Sequence, residues 1–377
     1  MGALRCHLLI GPPASGKTTL AATLAPLLQA ELISTDAIRE QLYGDASIQG
    51  HWLEVQDQLH RAIADHVAAG RSVLIDATHA RRPWRLAITQ RLRLPLPVEW
   101  IGWWLRTPRD VCVEWNRQRP RQVPELVIHQ FAAALDDPVF GPDRSEGFSA
   151  LVDFDPSLDG DLARRLKEEI TRIDRRVAAA RNKERSKELH GYSRLLDLER
   201  LLYLVQLLSR YPGLSGTDPA TRAELEAICN PLPQGGMPER AAGLIAALRG
   251  ECYGDVDAID ADLLWLERQD FFRTSTSQLS ITPPPPTEAL PENATGGWPP
   301  MADQAVFIRV FSLLRHLLQN PFDHERGTPL TEQLIRSLGG IYMPGESATL
   351  RKDIERVLTP YGFRTRNDNV RHGYGIG

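Results

Sequence analysis

The segment from Gly11 to Thr18 is the part of this chain whose residue types and spacing point most directly to chemistry. It reads Gly-Pro-Pro-Ala-Ser-Gly-Lys-Thr and matches the pattern G-x-x-x-x-G-K-[ST] at every fixed position. An apolar segment precedes it and a segment with helical apolar spacing follows it, which is the context that this pattern requires. Backbone N–H groups in such a loop surround phosphate groups.

The loop predicts a site for ATP with Mg2+. Lys17 is expected to reach the β and γ phosphates as a catalytic residue, and the hydroxyl of Thr18 is expected to be a ligand of Mg2+. The residues expected to contact the nucleotide are Gly11, Pro12, Pro13, Ala14, Ser15, Gly16, Lys17, Thr18 and Thr19.

A second candidate group follows in Ser34-Thr35-Asp36-Ala37-Ile38-Arg39. Ser34 or Thr35 is expected to cap a helix on which Asp36 and Arg39 share one face. A carboxylate beside a phosphate site has the chemistry to deprotonate an acceptor hydroxyl, and an arginine has the chemistry to bind an acceptor anion. The alternative interpretation is an aspartate that stabilises the helix start, with a surface arginine.

Two further groups fit a phosphoryl-transfer site. The apolar run Val73-Leu74-Ile75 ends at Asp76, which is expected to support the metal or contact the acceptor, and Thr78 is an expected acceptor contact. Three arginines around Pro120, namely Arg117, Arg119 and Arg121, are spaced as in a lid that clamps phosphates, although a basic helix end stabilised by its dipole would give the same pattern.

Five segments together resemble the phage-type polynucleotide 5'-hydroxyl kinase family in order and spacing: residues 11–18, 34–39, 76–78, 116–119 and 146–148. The resemblance covers roughly the first 155 residues. It implies that Asp36 is the general base on a 5'-hydroxyl, that Arg39 grips a neighbouring phosphate and that Arg119 is the lid arginine on ATP. The family's usual first lid arginine is replaced by Trp115, and Arg117 or Arg121 is the candidate to compensate.

The elements around these residues alternate between strands and helices. Strands are expected at 4–10, 31–34, 72–75, 98–105 and 151–154, and helices at 18–28, 51–69 and 123–135, with another from Thr107 capped through Asp110. This order predicts the α/β class, a P-loop parallel sheet with helices on both faces.

The rest of the chain is expected to be mainly helical. Residues 156–194 carry dense alternating charges and predict a solvent-exposed connecting helix, and residues 275–300 form a proline-rich linker. The expected domains are therefore a kinase domain at 1–155, a helical domain at 195–274 and a winged-helix-like domain at 301–377. Similar apolar helices near Arg200 and Arg309, each followed by a proline, suggest two related helical domains.

The last 32 residues look like the recognition helix and wing of a bacterial winged-helix regulator. A helix is expected from Ser347, followed by a hairpin ending in Arg371-His-Gly-Tyr-Gly-Ile-Gly, and six basic residues outnumber four acidic ones. This favours nucleic acid as the partner, and a protein-interaction module is the alternative.

Composition sets the outer limits on function. The net charge is -4, the apolar runs are too short for a membrane span, and the N-terminus has no room for a signal peptide, so a cytoplasmic protein is expected. The leading hypothesis is an ATP-dependent kinase acting on the 5'-hydroxyl of a polynucleotide. The alternatives are an ATP-switched winged-helix DNA-binding regulator and a P-loop kinase for a small molecule or a tRNA-linked group.

Overall fold

The structure is a computed structural model of the 377-residue chain, and it describes residues 3–184, 187–214, 218–272, 280–286, 297–321, 328–368 and 371–376. These residues divide into two compact units. The first is Met1–Ser186 with Ala289–Trp298, and the second is Lys187–Glu288 with Pro299–Gly377.

A five-stranded parallel sheet organises the first unit. Its strands are β1 (Leu4–Ile10), β2 (Glu31–Ser34), β3 (Val73–Asp76), β4 (Val98–Leu105) and β5 (Phe148–Phe154), in the order β2-β3-β1-β4-β5. The expected α/β class, a P-loop parallel sheet with helices on both faces, is confirmed. Because β1 lies between β3 and β4, the loops that follow β1 and β4 meet at the point where the strand order reverses, and ligands bind there in open α/β sheets.

Helices cover both faces of this sheet: α1 (Lys17–Leu28), α2 (Thr35–Tyr43), α3 (Trp52–Ala68), α4 (Arg82–Leu86, continued by a π-helical turn at Ala87–Arg91), α5 (Arg109–Arg117), α6 (Glu125–Leu135) and α7 (Leu162–Glu184). Successive side chains of β1 point to opposite faces. Leu8 and Ile10 are buried with Val55 and Ile63 of α3, while Leu9 is buried with Leu20 of α1. One buried strand therefore anchors two cores and fixes the position of the loop that follows it.

The expectation of a solvent-exposed connecting helix at residues 156–194 was wrong for α7. Leu166, Ile173 and Val177 of α7 are almost fully buried and belong to the same core as Leu20 and Trp103. The apolar residues of this helix form a single stripe at helical spacing, and the abundant charges occupy the other faces. α7 is therefore a structural layer of the first unit.

The second unit is mainly helical. It contains α8 (Leu195–Arg210), α9 (Pro219–Ile228), α10 (Met237–Arg249), α11 (Val256–Arg268), α12 (Gln304–Gln319), α13 (Leu330–Ser337) and α14 (Ser347–Lys352, continued by a π-helical turn at Asp353–Leu358). The expected hairpin is present in the backbone as β6 (Phe363–Asp368) and β7 (Arg371–Ile376), which pair antiparallel. Within the described ranges, no helix is both long and apolar enough for a membrane crossing.

Candidate active site

The phosphate loop leaves β1 through a turn that depends on unusual backbone conformations. Ala14 and Gly16 both have positive φ, 61° and 86°. The N–H of Gly11 donates to the carbonyl of Thr78 over 3.1 Å, so the start of the loop is tied to the segment after β3. A Cβ at Gly16 would lie 3.1 Å from the ring of Trp115, which makes glycine the suitable residue for both conformation and space.

Lys17 lies in the first turn of α1 and is 9% exposed. Its ammonium group donates to the carbonyl oxygens of Gly11 (3.0 Å) and Pro12 (2.6 Å). Burial lowers the pKa of Lys17 to about 8, against the opposing effect of the Asp76 carboxylate, and the positive charge of Arg119 lowers it further. The ammonium is therefore held inside the phosphate loop, where burial disfavours its charge.

Thr18 and Asp76 meet as the sequence predicts for a metal site. The hydroxyl of Thr18 donates to the Asp76 carboxylate over 3.0 Å, although the two residues are 58 positions apart. Burial raises the pKa of Asp76, and the charge of Lys17 opposes this shift. A hydroxyl and a carboxylate are the oxygen donors that Mg2+ takes in sites where phosphates supply the remaining ligands. The part of the chain that the structure describes contains no group of three or more His, Cys, Asp or Glu residues arranged for a metal.

The loop after β4 supports the phosphate loop from its other side. The hydroxyl of Thr107 donates to the carbonyl of Ser15 over 2.8 Å. The expected capping role of Thr107 was wrong, because α5 begins at Arg109 with Pro108 as its cap and without a side-chain cap hydrogen bond. Sequence spacing suggested a local bond to Asp110, whereas the fold brings Ser15 within reach. The hydroxyl of Ser15 itself is buried and has no hydrogen-bond partner among the described residues.

Asp36 and Arg39 form the predicted pair at the start of α2. Ser34, not Thr35, caps this helix, since its hydroxyl accepts from the N–H of Asp36. A guanidinium nitrogen of Arg39 lies 2.9 Å from a carboxylate oxygen of Asp36. The Asp36 side chain is 60% exposed and that of Arg39 is 12% exposed.

Strand pairing explains why Asp36 lies near the phosphate loop. Ser34 at the end of β2 is in register with Asp76 at the end of β3, and β3 is hydrogen-bonded to β1. The charge of Asp36 raises the pKa of both Lys17 and Asp76, although in both cases burial is the largest influence. The catalytic candidates are therefore electrostatically coupled across three strands.

The three arginines predicted to form a lid differ in their contacts. Arg117 pairs with Glu125 over 2.9 Å, and Arg121 donates to the carbonyl of Ala46 over 3.0 Å. Arg119 is exposed, and its charge lowers the pKa of Lys17 and of Asp76. Of the three, Arg119 is the one whose charge acts on the phosphate site. The expected nucleotide contacts of Arg117 and Arg121 remain predictions.

Asn116 shapes the turn that carries these arginines, a role that the sequence analysis did not assign. Its side-chain amide donates to the carbonyl of Val123 (2.8 Å), and its side-chain oxygen accepts from the N–H of Val123 (2.9 Å). These two hydrogen bonds close the turn that carries Arg119. The resemblance to the kinase family included Asn116, but nothing in the local sequence indicates that its partner is seven residues away.

A buried ionic cluster behind β3 was also missed. Arg85 is fully buried and donates to Glu146, which is likewise buried, and to the carbonyls of His79 and Ala80 over 2.9 Å each. His79 is bonded through Nδ1 to the carbonyl of Leu9, and burial lowers its pKa to about 4. These buried contacts hold the segment after β3 in place. The same segment accepts the N–H of Gly11 through the carbonyl of Thr78.

The match to a protein-family model falls in this first unit. Residues 6–138 match the family model described as an AAA domain, which is less than half of the chain. The search of curated proteins found no match.

Several solved structures resemble about half of the chain. A gluconokinase from Sinorhizobium meliloti 1021 is 18% identical over 49% of this chain and 99% of its own, with a TM-score of 0.33. A fungal RNA kinase is 18% identical over 50% of this chain and 92% of its own, with a TM-score of 0.33. Kti12 from Chaetomium thermophilum, in complex with ADP-AlF3, is 17% identical over 44% of this chain and 97% of its own, with a TM-score of 0.33. The assignment of the first unit to a P-loop fold rests on its own strand order and phosphate loop.

Proposed function

We propose that this protein is an ATP-dependent phosphotransferase that transfers the γ-phosphate to the 5'-hydroxyl of a polynucleotide. The observation that carries the proposal is the pair of Asp36 and Arg39, which lies at the end of β2 and is coupled to Lys17 in the phosphate loop. A nucleotide site alone fits hydrolysis, binding or transfer equally well. An exposed carboxylate with an arginine beside it adds a base for the acceptor hydroxyl and a cation for an acceptor anion.

The donor side of the proposed site suits a nucleoside triphosphate with Mg2+. The buried hydroxyl of Ser15 has no hydrogen-bond partner in the described part of the chain, and a phosphate oxygen would supply one. Thr18 and Asp76 would hold Mg2+, which when bound neutralises charge on the phosphates. Arg119 is positioned by the Asn116 turn to stabilise the charge that develops on the transferring group.

The acceptor side accounts for the proton that the reaction releases. As the acceptor oxygen bonds to the γ-phosphorus, the bond from that phosphorus to the bridging oxygen breaks and ADP leaves. The carboxylate of Asp36 takes the hydroxyl proton, for which its 60% exposed side chain is open to an incoming alcohol. Water can take this same path, so productive transfer requires that the acceptor be held in place.

Arg39 supports an acceptor that carries a phosphate. One of its nitrogens is bonded to Asp36, whereas its Nε is buried and has no hydrogen-bond partner among the described residues. A phosphate next to the reacting hydroxyl would satisfy this N–H and keep the hydroxyl beside Asp36. The 5'-end of a polynucleotide has this arrangement, since its terminal hydroxyl is one nucleoside away from a phosphodiester.

The test is γ-phosphate transfer from labelled ATP to 5'-hydroxyl DNA and RNA oligonucleotides, with small sugars as competing acceptors. Asp36→Asn should lower kcat by about 10²- to 10⁴-fold, the usual contribution of a general base, and leave nucleotide affinity unchanged below about pH 7, where Lys17 stays protonated. Arg39→Ala should raise KM for the oligonucleotide. The pair Asp57 and Arg61 on α3 has the same residue types at helical spacing, so Asp57→Asn and Arg61→Ala are matched controls.

Two outcomes would overturn different parts of the proposal. Transfer to a sugar but to no oligonucleotide would contradict the proposed polynucleotide acceptor. The phosphotransferase activity would then stand, with a small molecule as the acceptor. ATP binding without transfer to any acceptor, unaffected by Asp36→Asn, would contradict the kinase and favour a nucleotide-switched regulator.

A further inference from the structure

The second unit contains two stretches with closely similar local structure. Helix α12 begins and ends 109 positions after α8, at residues 304 and 319 against 195 and 210. Both helices have an arginine at the sixth position, Arg200 and Arg309, and each of these bonds to a buried aspartate through two nitrogens. The residue that directly follows each helix has similar backbone angles, φ -132° and ψ 73° at Tyr211 and φ -125° and ψ 57° at Asn320. A proline follows each of these residues.

The similarity continues through the next elements. α9 and α13 each bury a leucine, Leu225 and Leu334, again 109 positions apart. The helical segment of α14 with its π-helical turn ends at Leu358, 109 positions after the end of α10 at Arg249. Each segment then leads into a 3-10 turn that ends in Tyr-Gly, at residues 253–254 and 361–362. Residues 195–254 and 304–362 are therefore called the first and second repeat.

A single buried carboxylate joins the two repeats. The hydroxyl of Tyr253 donates to one oxygen of Glu199 in α8, and the hydroxyl of Tyr361 donates to the other oxygen over 2.8 Å. The ring of Tyr203, also in α8, lies 5.2 Å from that of Tyr253 and 5.6 Å from that of Tyr361, measured between centroids. The equivalent tyrosines of the two repeats therefore converge on one helix of the first repeat.

The third helices of the two repeats differ on their outer faces. At the 109-residue offset, the first repeat has Ala242, Gly243, Ala246 and Ala247, and the second has Arg351, Lys352, Glu355 and Arg356. In the first repeat part of this face of α10 is covered by its own chain, since Ala242 is buried and Gly243 and Ala246 are half-buried, while Ala247 is exposed. A Cβ at Gly243 would lie 2.4 Å from Pro233, and one at Gly254 would lie 2.8 Å from Ala246. Close packing therefore requires small residues at positions 243 and 246.

The same face in the second repeat is open and basic. Arg351, Lys352, Glu355 and Arg356 are all exposed, and they share one side of a helical segment because they are three or four positions apart. None of the three cations bonds to another side chain within the part of the chain that the structure describes. Three exposed cations against one carboxylate, with no side-chain partner for the cations among the described residues, are suited to a polyanion.

We infer that the second repeat binds double-stranded DNA through the outer face of α14, and that the first repeat serves as its scaffold. A protruding helix fits the major groove of B-form DNA, which is about 12 Å wide, whereas the major groove of A-form RNA is too narrow for it. The scaffold role follows from the close packing at Gly243 and Ala246 of α10 and from the Glu199 contact that holds Tyr361 at the end of the second repeat.

This inference is independent of the proposed kinase activity, because binding is measured on the full chain without nucleotide. The measurement is fluorescence anisotropy of a labelled random-sequence 20-base-pair DNA duplex, titrated at several salt concentrations. The triple variant Arg351→Ala, Lys352→Ala, Arg356→Ala should bind at least about tenfold more weakly at low salt. The slope of log K against log salt should fall by up to about 2.7, because each lost phosphate contact contributes about 0.9.

The matched control removes three arginines of α9, α10 and α11 in Arg222→Ala, Arg249→Ala, Arg268→Ala, and it should bind as the unmodified protein does. Equal losses in the two triple variants would overturn the inference, because the effect would then be one of total charge. It would also be overturned by absence of duplex binding at low salt, or by tighter binding of an RNA duplex or single strand of the same sequence.

Discussion

The ammonium group of Lys17 is subject to opposing influences on its charge. Two loop carbonyls accept its hydrogen bonds, and Asp76 and Asp36 favour its charge, yet burial dominates and lowers its pKa to about 8. Below that pH the side chain carries the charge that phosphates require. Above it, the side chain of the free protein is neutral and must gain a proton to bind them.

This predicts a specific pH dependence of nucleotide affinity. The Kd for a non-hydrolysable ATP analogue should be constant below about pH 7 and should rise above pH 8. The rise should approach about tenfold per pH unit over the range in which Lys17 is protonated in the complex and neutral in the free protein. Calorimetric titration between pH 6.5 and 9.5 measures it. Lys17→Arg should remove the rise above pH 8, because arginine stays charged, and the exposed Lys352→Arg should retain it. A flat profile in the unmodified protein would contradict this account.

At the scale of elements, the phosphate loop is held by strands that are distant in sequence. The segment after β3 binds the loop through the carbonyl of Thr78, and the segment after β4 binds it through the hydroxyl of Thr107. The two attachments come from the strands on either side of β1. The loop conformation is therefore a property of three adjacent strands as much as of the loop's own glycines.

Thr107→Val tests this attachment, because it removes the hydroxyl and keeps the side-chain shape. The buried carbonyl of Ser15 would lose its partner, so the free energy of unfolding should fall by roughly 1–3 kcal/mol, and nucleotide affinity should weaken as the loop loosens. Urea denaturation and calorimetry are the measurements. Thr171→Val is the control, since that hydroxyl donates to a carbonyl on an exposed face of α7. Equal destabilisation by both variants would show that the contact to Ser15 has no special role.

At the scale of the whole molecule, the chain is divided after α7 and not before it. The buried Leu166, Ile173 and Val177 make α7 part of the first unit, which continues to Ser186. The expected domain end at residue 155 would cut between β5 and this helix and would expose the face of the core that α7 covers. The nucleotide site belongs to the first unit, and the two repeats belong to the second.

Two fragments test this division. A fragment of residues 1–186 should unfold cooperatively and bind the ATP analogue, because it retains both cores of the sheet. A fragment of residues 1–155 should be less stable by several kcal/mol or fail to fold, since each lost aliphatic side chain contributes about 1.5–3 kcal/mol. Denaturant unfolding and analogue titration compare them. Equal stability of the two fragments would show that α7 is dispensable.

Most of the first unit could be predicted from local patterns. The strands are short apolar runs bounded by turns, and the observed β2 and β4 have the predicted ends. The error at α7 arose because abundant charges concealed an apolar stripe that begins at Leu162 and recurs at helical spacing through Leu166, Ile170, Ile173 and Val177. The sequence pattern indicates two related helices near Arg200 and Arg309, but the matching turns and buried positions that follow them are visible only in the structure.

The sequence by itself determined the phosphate loop, the α/β order and the Asp36–Arg39 pair, because each depends on residues within a few positions of one another. Only the tertiary structure decided which distant groups meet. It brought Thr18 to Asp76, Thr107 to Ser15 and Tyr361 to Glu199, and it directed Arg117 to Glu125 while the charge of Arg119 acts on Lys17. These contacts depend on strand order and packing, which bring together residues that no local spacing relates.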